Sequence, residues 1–569
     1  VGQVRTANGL NVLPRWASPV EGKSIVAIAP PPSVLGPLRR RAFRALWIAQ
    51  FASNTGTWAQ LVGAQWLMGN LGGGALQVAL VQTATTLPVF LLVLPAGALG
   101  DILDRRHLLL TGQTIMLFGA AGLAVLTAAD AVTPAVLLGL IGLMGVGQAL
   151  SVPSFQAIQP ELVPREEIPH AALLNGANAN VTRAVGPAIG GVLIAAVGPA
   201  ATFALNTVSF LGVLIVLGVW RRPPDDRPLG AEHIRGAMRA GARYVRSAPA
   251  FATILSRSLL FMLFASGLWA LLPAVARGPL GLGASGYGLL LGSLGAGAVV
   301  GAFVVPWLGA RFGGSALVTG ATLLYAAGML VVGLGGSVAI VLLTLPVVGL
   351  AWIAVQATLN TAAQIVLPDW ARARALAYFQ LVFMGGQALG AVMWGGLADT
   401  TSLRTTFVVL AAGLVVGAVL GLGPLALHVG DHDVRPTQAW PHPVVSRDPP
   451  PDAGPVLVII EWPVAPGMEE AFVTAMEPVS RSRKRTGATL WGLFQDVEDP
   501  PIFLETFTVT TWHEHLRQHL ERGTAMDDEL ERRARDALRA GEDPRIRHLL
   551  WAYGPWLRTV GEPTEDRTP

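Results

Sequence analysis

Arg183 lies within an otherwise apolar stretch at 171–195 that also carries Asn175, Asn178 and Asn180. If the stretch crosses a membrane, a guanidinium there costs several kcal/mol unless it faces a polar cavity or a partner, so its first reading is functional. It would bind an anionic group or organise the contact beside Gly186 and Pro187. The plainer alternative is a side chain that snorkels to the nearer interface. Other polar groups set in apolar stretches are Asn54, Thr55, Gln60, Gln65, Gln148, Gln356, Asn360, Gln380 and Gln387. Of all these, Asn54, Gln60, Asn178, Asn180, Arg183, Gln356, Asn360 and Gln380 are the candidate lining of a substrate cavity. Trp58, Trp66, Trp269, Trp352, Phe379 and Trp394 would add apolar surface. Such a lining suits an amphipathic small molecule with several hydrogen-bonding groups, although the same amides can serve as glue between helices.

A second group is Gly97, Asp101, Arg105 and Arg106, within GALGDILDRR at 97–106. A carboxylate beside a helix end can cap it and pair with an arginine, forming a charged latch that a conformational change would break and remake. Anchoring of the chain by arginine alone would explain Arg105 and Arg106 but not Asp101. Farther on, His515 and His519 share a helical face, with His513 nearby. The spacing can hold a metal, but no third ligand is identifiable, so a solvated helix is expected and no metal. There is no cysteine, which excludes disulfides and thiolate chemistry. No phosphate-cradling GxxxxGK[ST] run occurs, which argues against an ATP-driven pump. No catalytic residue or cofactor is expected, and no acidic residue falls deep within an apolar stretch.

The elements that must position these residues are membrane helices. Of 569 residues, 52% are hydrophobic and 13% charged, with a mean hydropathy of +0.52; soluble proteins carry about 25% charged residues. Apolar windows of the roughly 20 residues needed for a span fall at 44–66, 76–99, 108–129, 134–156, 171–195, 200–220, 252–276, 284–307, 315–335, 338–362, 374–397 and 404–427. The fold class expected is an all-α polytopic membrane protein with twelve transmembrane helices in two six-helix halves, plus a C-terminal ferredoxin-like α+β domain. Threading twelve spans puts Arg39, Arg40, Arg41, Arg44, Arg105, Arg106, Arg165, Arg221, Arg222, Arg257, Arg311, Arg372 and Arg374 on one side. The other side has only Asp130, Arg277, Asp399 and Arg404. The arginine-rich side is expected to be cytoplasmic, with both termini there. Arg257, near the start of its span, is expected to snorkel. The net charge of +4 then reflects topology, not nucleic-acid affinity.

The expected organisation is a flexible segment at 1–38 without a cleavable signal peptide, a first six-helix bundle at 39–220, a linker at 221–251, and a second bundle at 252–427. Within the linker, Ile234, Met238, Gly241 and Val245 share a helical face, suiting a helix at the membrane surface or a solvated one. The halves echo each other: Leu162-Val163-Pro164 parallels Val366-Leu367-Pro368, and the small-residue run at 186–191 parallels that at 386–391. Duplicated bundles are how many transporters build two halves that rock about a central site. A Pro-rich linker at 428–454 leads to a domain at 455–555 and a flexible tail at 556–569. Its segments read as strand 455–464, helix 467–485, strands 488–497 and 501–509, helices 511–522 and 525–539, and strand 547–553, the β-α-β-β-α-β order. Residues 525–539 read as a charged outer face.

The GALGDILDRR loop resembles the loop between the second and third helices of the major facilitator superfamily, with Gly97, Asp101, Arg105 and Arg106 at its characteristic positions. Asp104 stands where many members have glycine. The segments ELVPREEIPHAALLNG and RAVGPAIGG resemble the bacterial enterobactin-exporter-like group, also called transmembrane secretion effectors. The C-terminal part is similar to dimeric α+β barrels of the antibiotic-biosynthesis-monooxygenase type. The resemblance implies export of a siderophore-like or drug-like compound across the bacterial cytoplasmic (inner) membrane by alternating access, coupled to protons or another ion. It implies membrane lipids and a small-molecule substrate as partners, with self-association through the C-terminal domain. Gly186, Pro187, Gly190 and Gly191 permit close helix packing and a bend, and relatives with this pattern are associated with antiport. A bifunctional chain with a cofactor-free monooxygenase domain, or a membrane scaffold, are the rival classes.

Overall fold

The computed structural model describes residues 35–102, 104–158, 162–220, 244–335, 337–427 and 449–552, with isolated positions between 433 and 445. Residues 1–34 of the segment expected at 1–38, residues 221–243 of the linker expected at 221–251, and the tail expected at 556–569 lie outside the described residues. So does most of the linker helix; only the helical turn at 244–247 is described.

Among the described residues, twelve long helices come in two sets of six. The first comprises α1 (Arg41–Asn70), α2 (Ala75–Ile102), α3 (Arg105–Ala128), α4 (Pro134–Ile158), α5 (Ile168–Val197) and α6 (Pro199–Val219). The second comprises α7 (Pro249–Arg277), α8 (Ala284–Phe312), α9 (Gly314–Gly333), α10 (Val338–Val366), α11 (Asp369–Thr400) and α12 (Leu403–Leu420). Eleven, α2 to α12, are long and apolar enough to cross a membrane. The first is long enough, but Arg41, Arg44 and its run of Gln, Asn, Ser and Thr residues make it less apolar. Phe118, Val208, Ile215, Phe303, Trp307 and Leu343 project outward and are exposed, an apolar belt that lipid would cover. Pro88, Pro187, Pro273, Pro306 and Pro346 sit inside helices, which neighbouring helices make tolerable in a bundle of this kind.

Helix ends follow from local chemistry. Asp104 accepts a hydrogen bond from the Arg106 backbone N–H at 2.7 Å and caps α3, so its carboxylate satisfies an amide that a glycine there would leave free. Ser337 and Ser402 cap α10 and α12 in the same way. Between α5 and α6, Gly198 adopts φ 101°, a conformation that costs a residue with a side chain. Arg257 departs from the snorkelling expected of it. It is 5% exposed and donates to Thr319 Oγ1 at 2.9 Å, Ser315 Oγ at 3.2 Å and the Leu425 carbonyl at 3.4 Å. The end of α12 folds back over it, so its charge is solvated by protein.

The C-terminal domain contains β1 (Val456–Pro463), α13 (Glu469–Thr486), β2 (Leu490–Gln495), β3 (Ile502–Val509), α14 (Trp512–Leu520), α15 (Ala525–Arg535) and β4 (Arg545–Leu550). The sheet order is β2-β3-β1-β4 with all neighbours antiparallel, as the β-α-β-β-α-β sequence requires. Cross-strand partners share a face, so Val456, Val458, Ile460 and Trp462 lie with Val509, Phe507, Glu505 and Phe503 against the helices. Glu505 is therefore a carboxylate in an apolar face, fully buried. Arg483 of α13 pairs with it at 3.0 Å and with Glu531 at 3.1 Å, while Trp491 Nε1 donates to it at 2.9 Å and Trp462 Nε1 at 3.3 Å. Burial alone would lower the pKa of Arg483, but Glu505 and Glu531 outweigh it and hold it raised.

Two expectations for this domain change. The helix carrying His515 and His519 turns both inward, 0% and 3% exposed, where a solvated face was expected. Trp512, three residues before His515 on the same helical face, anchors it in the core. Likewise Asp527 and Glu531 of the expected charged outer face point inward to Arg485 and Arg483, because α15 packs against the arginine-bearing face of α13. The domain seats on the ends of the helical bundle. Arg522 lies over the Trp370 ring at 5.1 Å, and a cavity of about 50 Å³ at the join is lined by Tyr244, Val366, Pro368, Arg485 and Met526.

Candidate substrate site

The two halves meet through α5 with α8 and α2 with α11, and the packing at the first pair is made of small residues. A Cβ placed on Gly191 would lie 2.8 Å from Gly288 Cα, and one on Gly288 would lie 2.7 Å from Gly191 Cα. A Cβ on Gly295 would lie closer still, 2.3 Å from Ala184 Cα. Positions 288, 292 and 295 recur on one face of α8, as 184, 188 and 191 do on α5, so two backbones run in contact. Gly186 and Gly190 serve a different contact: a Cβ on them would lie 2.5 Å from Trp58 Cβ and 2.8 Å from Ala59 Cα, so they pack α5 on α1 within the first half. Pro187 is buried between these two surfaces.

Just below the Ala184 contact sits Arg183. Its guanidinium lies 5.6 Å from the Trp58 ring, and Nε is buried with no hydrogen-bond partner. From Trp58 an aromatic run crosses into the second half: Trp269 at 5.8 Å, then Trp352 at 5.4 Å, flanked by Phe261 and Tyr325. Trp352 Nε1 and, one turn on along α10, Gln356 Oε1 are likewise buried without partners. An unsatisfied buried polar group costs about 1–3 kcal/mol. Arg183 Nε at the first-half end of this aromatic run, and Trp352 Nε1 and Gln356 Oε1 at its second-half end, would gain from a ligand with hydrogen-bonding groups on an apolar body.

Not all the residues expected at a cavity belong to it. Gln60 is buried inside the first half, where it accepts from Asn206 Nδ2 at 2.7 Å and contacts Met144 Sδ at 3.1 Å; it is helix-to-helix glue. Asn54 donates to Asn178 at 3.2 Å, and Asn178 donates to the Trp47 carbonyl at 3.1 Å, so both sew α1 to α5. Asn360 follows Gln356 by one turn and accepts from Gln364 at 2.5 Å. Asn180 and Gln380 are half-buried, and no described contact joins them to Arg183. The surroundings of Gly97 and the side chain of Asp101 lie outside what is described. Arg106 donates to the Leu217 carbonyl and the Gly218 carbonyl, each at 2.9 Å, holding the end of α6; this is a role within one half. Arg105 is half-buried at the start of α3.

Beyond the aromatic run, away from the C-terminal domain, the halves are closed in layers. Tyr287 donates to Gln65 and stacks near Trp66. At the rim, Arg277 lies 3.9 Å from the Trp66 ring and donates to the Trp66 carbonyl and to Asn70 Oδ1, at the end of α1. Asp399 accepts from the backbone N–H groups of Ala75 at 2.7 Å and Leu76 at 3.0 Å, at the start of α2. A cation thus meets a helix C-terminus and a carboxylate meets a helix N-terminus, the favourable sign in both cases. In the sequence these two residues mark only the sparsely charged side. Asp399→Asn is expected to weaken this closure by about 1.4 kcal/mol, a tenfold change in the balance of closed and open forms. The chain lacks cysteine, so spin labels at Ala131→Cys and Thr401→Cys report the separation on this side without background; an unchanged distance distribution would refute the capping role.

Known proteins bear on this geometry. The family model described as transmembrane secretion effector matches residues 32–554. The multidrug efflux pump Tap of Mycolicibacterium fortuitum is 26% identical over 403 residues, covering 68% of this chain and 95% of that protein. The enterobactin exporter EntS of Citrobacter koseri is 28% identical over 390 residues, covering 67% and 90%. Among solved structures, the helical part is similar to a variant of the nucleoside transporter NupG, with a TM-score of 0.57 at 11% identity, covering 67% of this chain and 99% of that one. A bacterial homolog of the human lysosomal transporter Spinster, solved inward-facing and unoccupied, gives 0.53 at 15% identity, covering 69% and 96%.

Proposed function

The chain belongs to the transmembrane secretion effector family, and on that footing we propose that it exports a small amphipathic molecule, siderophore-like or drug-like, by alternating access. It is a membrane transporter of the major facilitator type and not an enzyme, as its relatives and structural neighbours are transporters. The observation that carries the proposal is Arg183, half-buried over Trp58 with its Nε unpartnered, at one end of an aromatic run that leads through Trp269 to the unpartnered Trp352 Nε1. In this scheme all twelve helices span the bacterial inner membrane, with α1 supplying the polar face that its lower apolarity allows. Both termini and the C-terminal domain lie in the cytoplasm, in keeping with the arginine distribution. The layered closure beyond Trp269 then faces the periplasm. The substrate would enter from the cytoplasm and leave when α5 and α8 part, with an ion or proton gradient as the energy source. The outer face of the C-terminal sheet, with Leu490 70% and Phe494 57% exposed, favours self-association through that domain.

The test is uptake into inverted vesicles, in which an exporter loads inward. Radiolabelled enterobactin-like siderophores and cationic amphipathic drugs are supplied under an imposed proton gradient. Wild-type protein is expected to accumulate one class in a gradient-dependent way. Arg183→Gln, if folded, is expected to lower that accumulation about tenfold, the weight of a lost charge-assisted contact. Folded wild-type protein that accumulates neither class under either gradient direction would end the export proposal.

A further inference from the structure

Three histidines converge in the C-terminal domain from elements distant in sequence. His515 and His519, four residues apart on α14, face the same way. His548 stands on β4 opposite Val458, which puts it on the helix-facing side of the sheet. His515 Nε2 and His519 Nε2 are 3.2 Å apart, and one ligating nitrogen from each of the three residues lies within 4.8 Å of the others. His548 Nε2 is buried and has no hydrogen-bond partner. This is the tightest cluster of metal-ligating side chains among the described residues, and nothing in the transport reading uses it.

We propose that His515, His519 and His548 form a three-imidazole site for a divalent transition metal, zinc by preference, with its fourth position open. Tetrahedral zinc holds imidazole nitrogens at about 2.0–2.1 Å, which separates them by about 3.4 Å. The His515–His519 pair is already at that spacing, and a side-chain movement of about 1.5 Å would bring in the third ring. Three nitrogen donors with no carboxylate disfavour magnesium and calcium, which take oxygen. The surroundings are those of a built site. Gln518 donates its amide N–H to Thr486 Oγ1 at 3.0 Å and towards the Arg483 carbonyl at 3.4 Å. Its carbonyl oxygen is thereby fixed towards His515 Nδ1, 3.4 Å away. That contact places the His515 proton on Nδ1 and frees Nε2 to coordinate, the usual second contact of a metal-bound imidazole. The Trp512 ring walls the cluster, 5.5 Å from His515 and 6.2 Å from His548.

The full-length protein in detergent is stripped with chelator and titrated with zinc chloride alone, with cobalt(II) as a spectroscopic substitute. One zinc per chain is expected, together with the visible absorption of four-coordinate cobalt. Either His519→Gln or His548→Gln should weaken zinc binding by about 100-fold, and Gln518→Leu by about tenfold. His513→Gln, outside the cluster, should leave it unchanged. No cobalt absorption and no stoichiometric zinc in the wild type would mean that the pair shares only an N–H···N hydrogen bond, and the proposal falls. Zinc that binds equally well to folded His519→Gln and His548→Gln proteins would overturn it too. If either variant fails to fold, the wild-type cobalt spectrum, with or without the features of imidazole ligation, decides alone.

Discussion

Gly191→Leu is expected to reduce transport about 100-fold while leaving a folded, membrane-inserted protein. The substitution places four carbons where α5 touches α8 backbone to backbone: even the first would lie 2.8 Å from Gly288 Cα and 2.9 Å from the Ala284 carbonyl. Overpacking a tight core costs about 1–3 kcal/mol when side chains can shift. Here the opposing atoms are main chain, so the upper part of that range applies, and about 3 kcal/mol shifts a two-state balance about 150-fold. The strain exists only while the halves are closed on this side, and the two sets of helices each fold without it. The label pair at Ala131→Cys and Thr401→Cys should therefore show the long separation dominating. Gly288→Leu should do the same from the other side of the contact. Wild-type distances and wild-type uptake in a folded Gly191→Leu protein would show that the α5–α8 seam does not open during transport.

Arg483→Met is expected to destabilise the C-terminal domain by about 3–5 kcal/mol, the usual result of leaving one member of a buried ion pair alone. Glu505, fully buried between Ile460 and Leu493, would keep only the indole N–H groups of Trp462 and Trp491. A domain of this size has little stability to spare, so limited proteolysis should cut within 455–552 while the helical bundle remains intact. Arg483→Met with Glu505→Leu should recover most of the loss, because an apolar pair of similar volume avoids the desolvation of both charges. A single variant as resistant to protease as the wild type would show that Glu505 takes up a proton or water at little cost.

The sequence is legible where one period or one composition dominates. Helix limits lie within a few residues of the apolar windows, and alternation in PIFLETFTV places β3. That same alternation puts Glu505 in phase with Phe503 and Phe507, a signal of a buried carboxylate that a reading by polarity alone passes over. Arg183 was visible as an anomaly, and it lies at the join. What stayed hidden depends on which faces meet. Gln60 and Arg183 look alike in a linear reading, since each is a polar residue in an apolar run; only packing separates the one satisfied by Asn206 from the one left open. Arg257 looked like a snorkelling side chain because the chain that returns over it, at 421–425, lies far along the sequence. The third histidine eluded the sequence for the same reason: His548 belongs to another element. Gly288 and Gly295 carried a detectable sign, small residues at helical spacing, but nothing in one sequence says that α5 is their partner.

Asp399 and Arg277 dock on main-chain amides and carbonyls at the ends of α2 and α1. A genetic consequence follows. In an ordinary ion pair, a charge reversal on one side can be suppressed by the opposite reversal on the other. Here the receiving side of Asp399 has no side chain to exchange, so a search for suppressors of Asp399→Lys should return no compensating acid within the first turn of α2. Relief should come instead from changes that loosen the opposite end of the molecule, where the second half and the C-terminal domain meet. Around Asp399 the first half can accumulate side-chain substitutions without losing the lock, whereas at Arg277 it must keep Trp66 and Asn70.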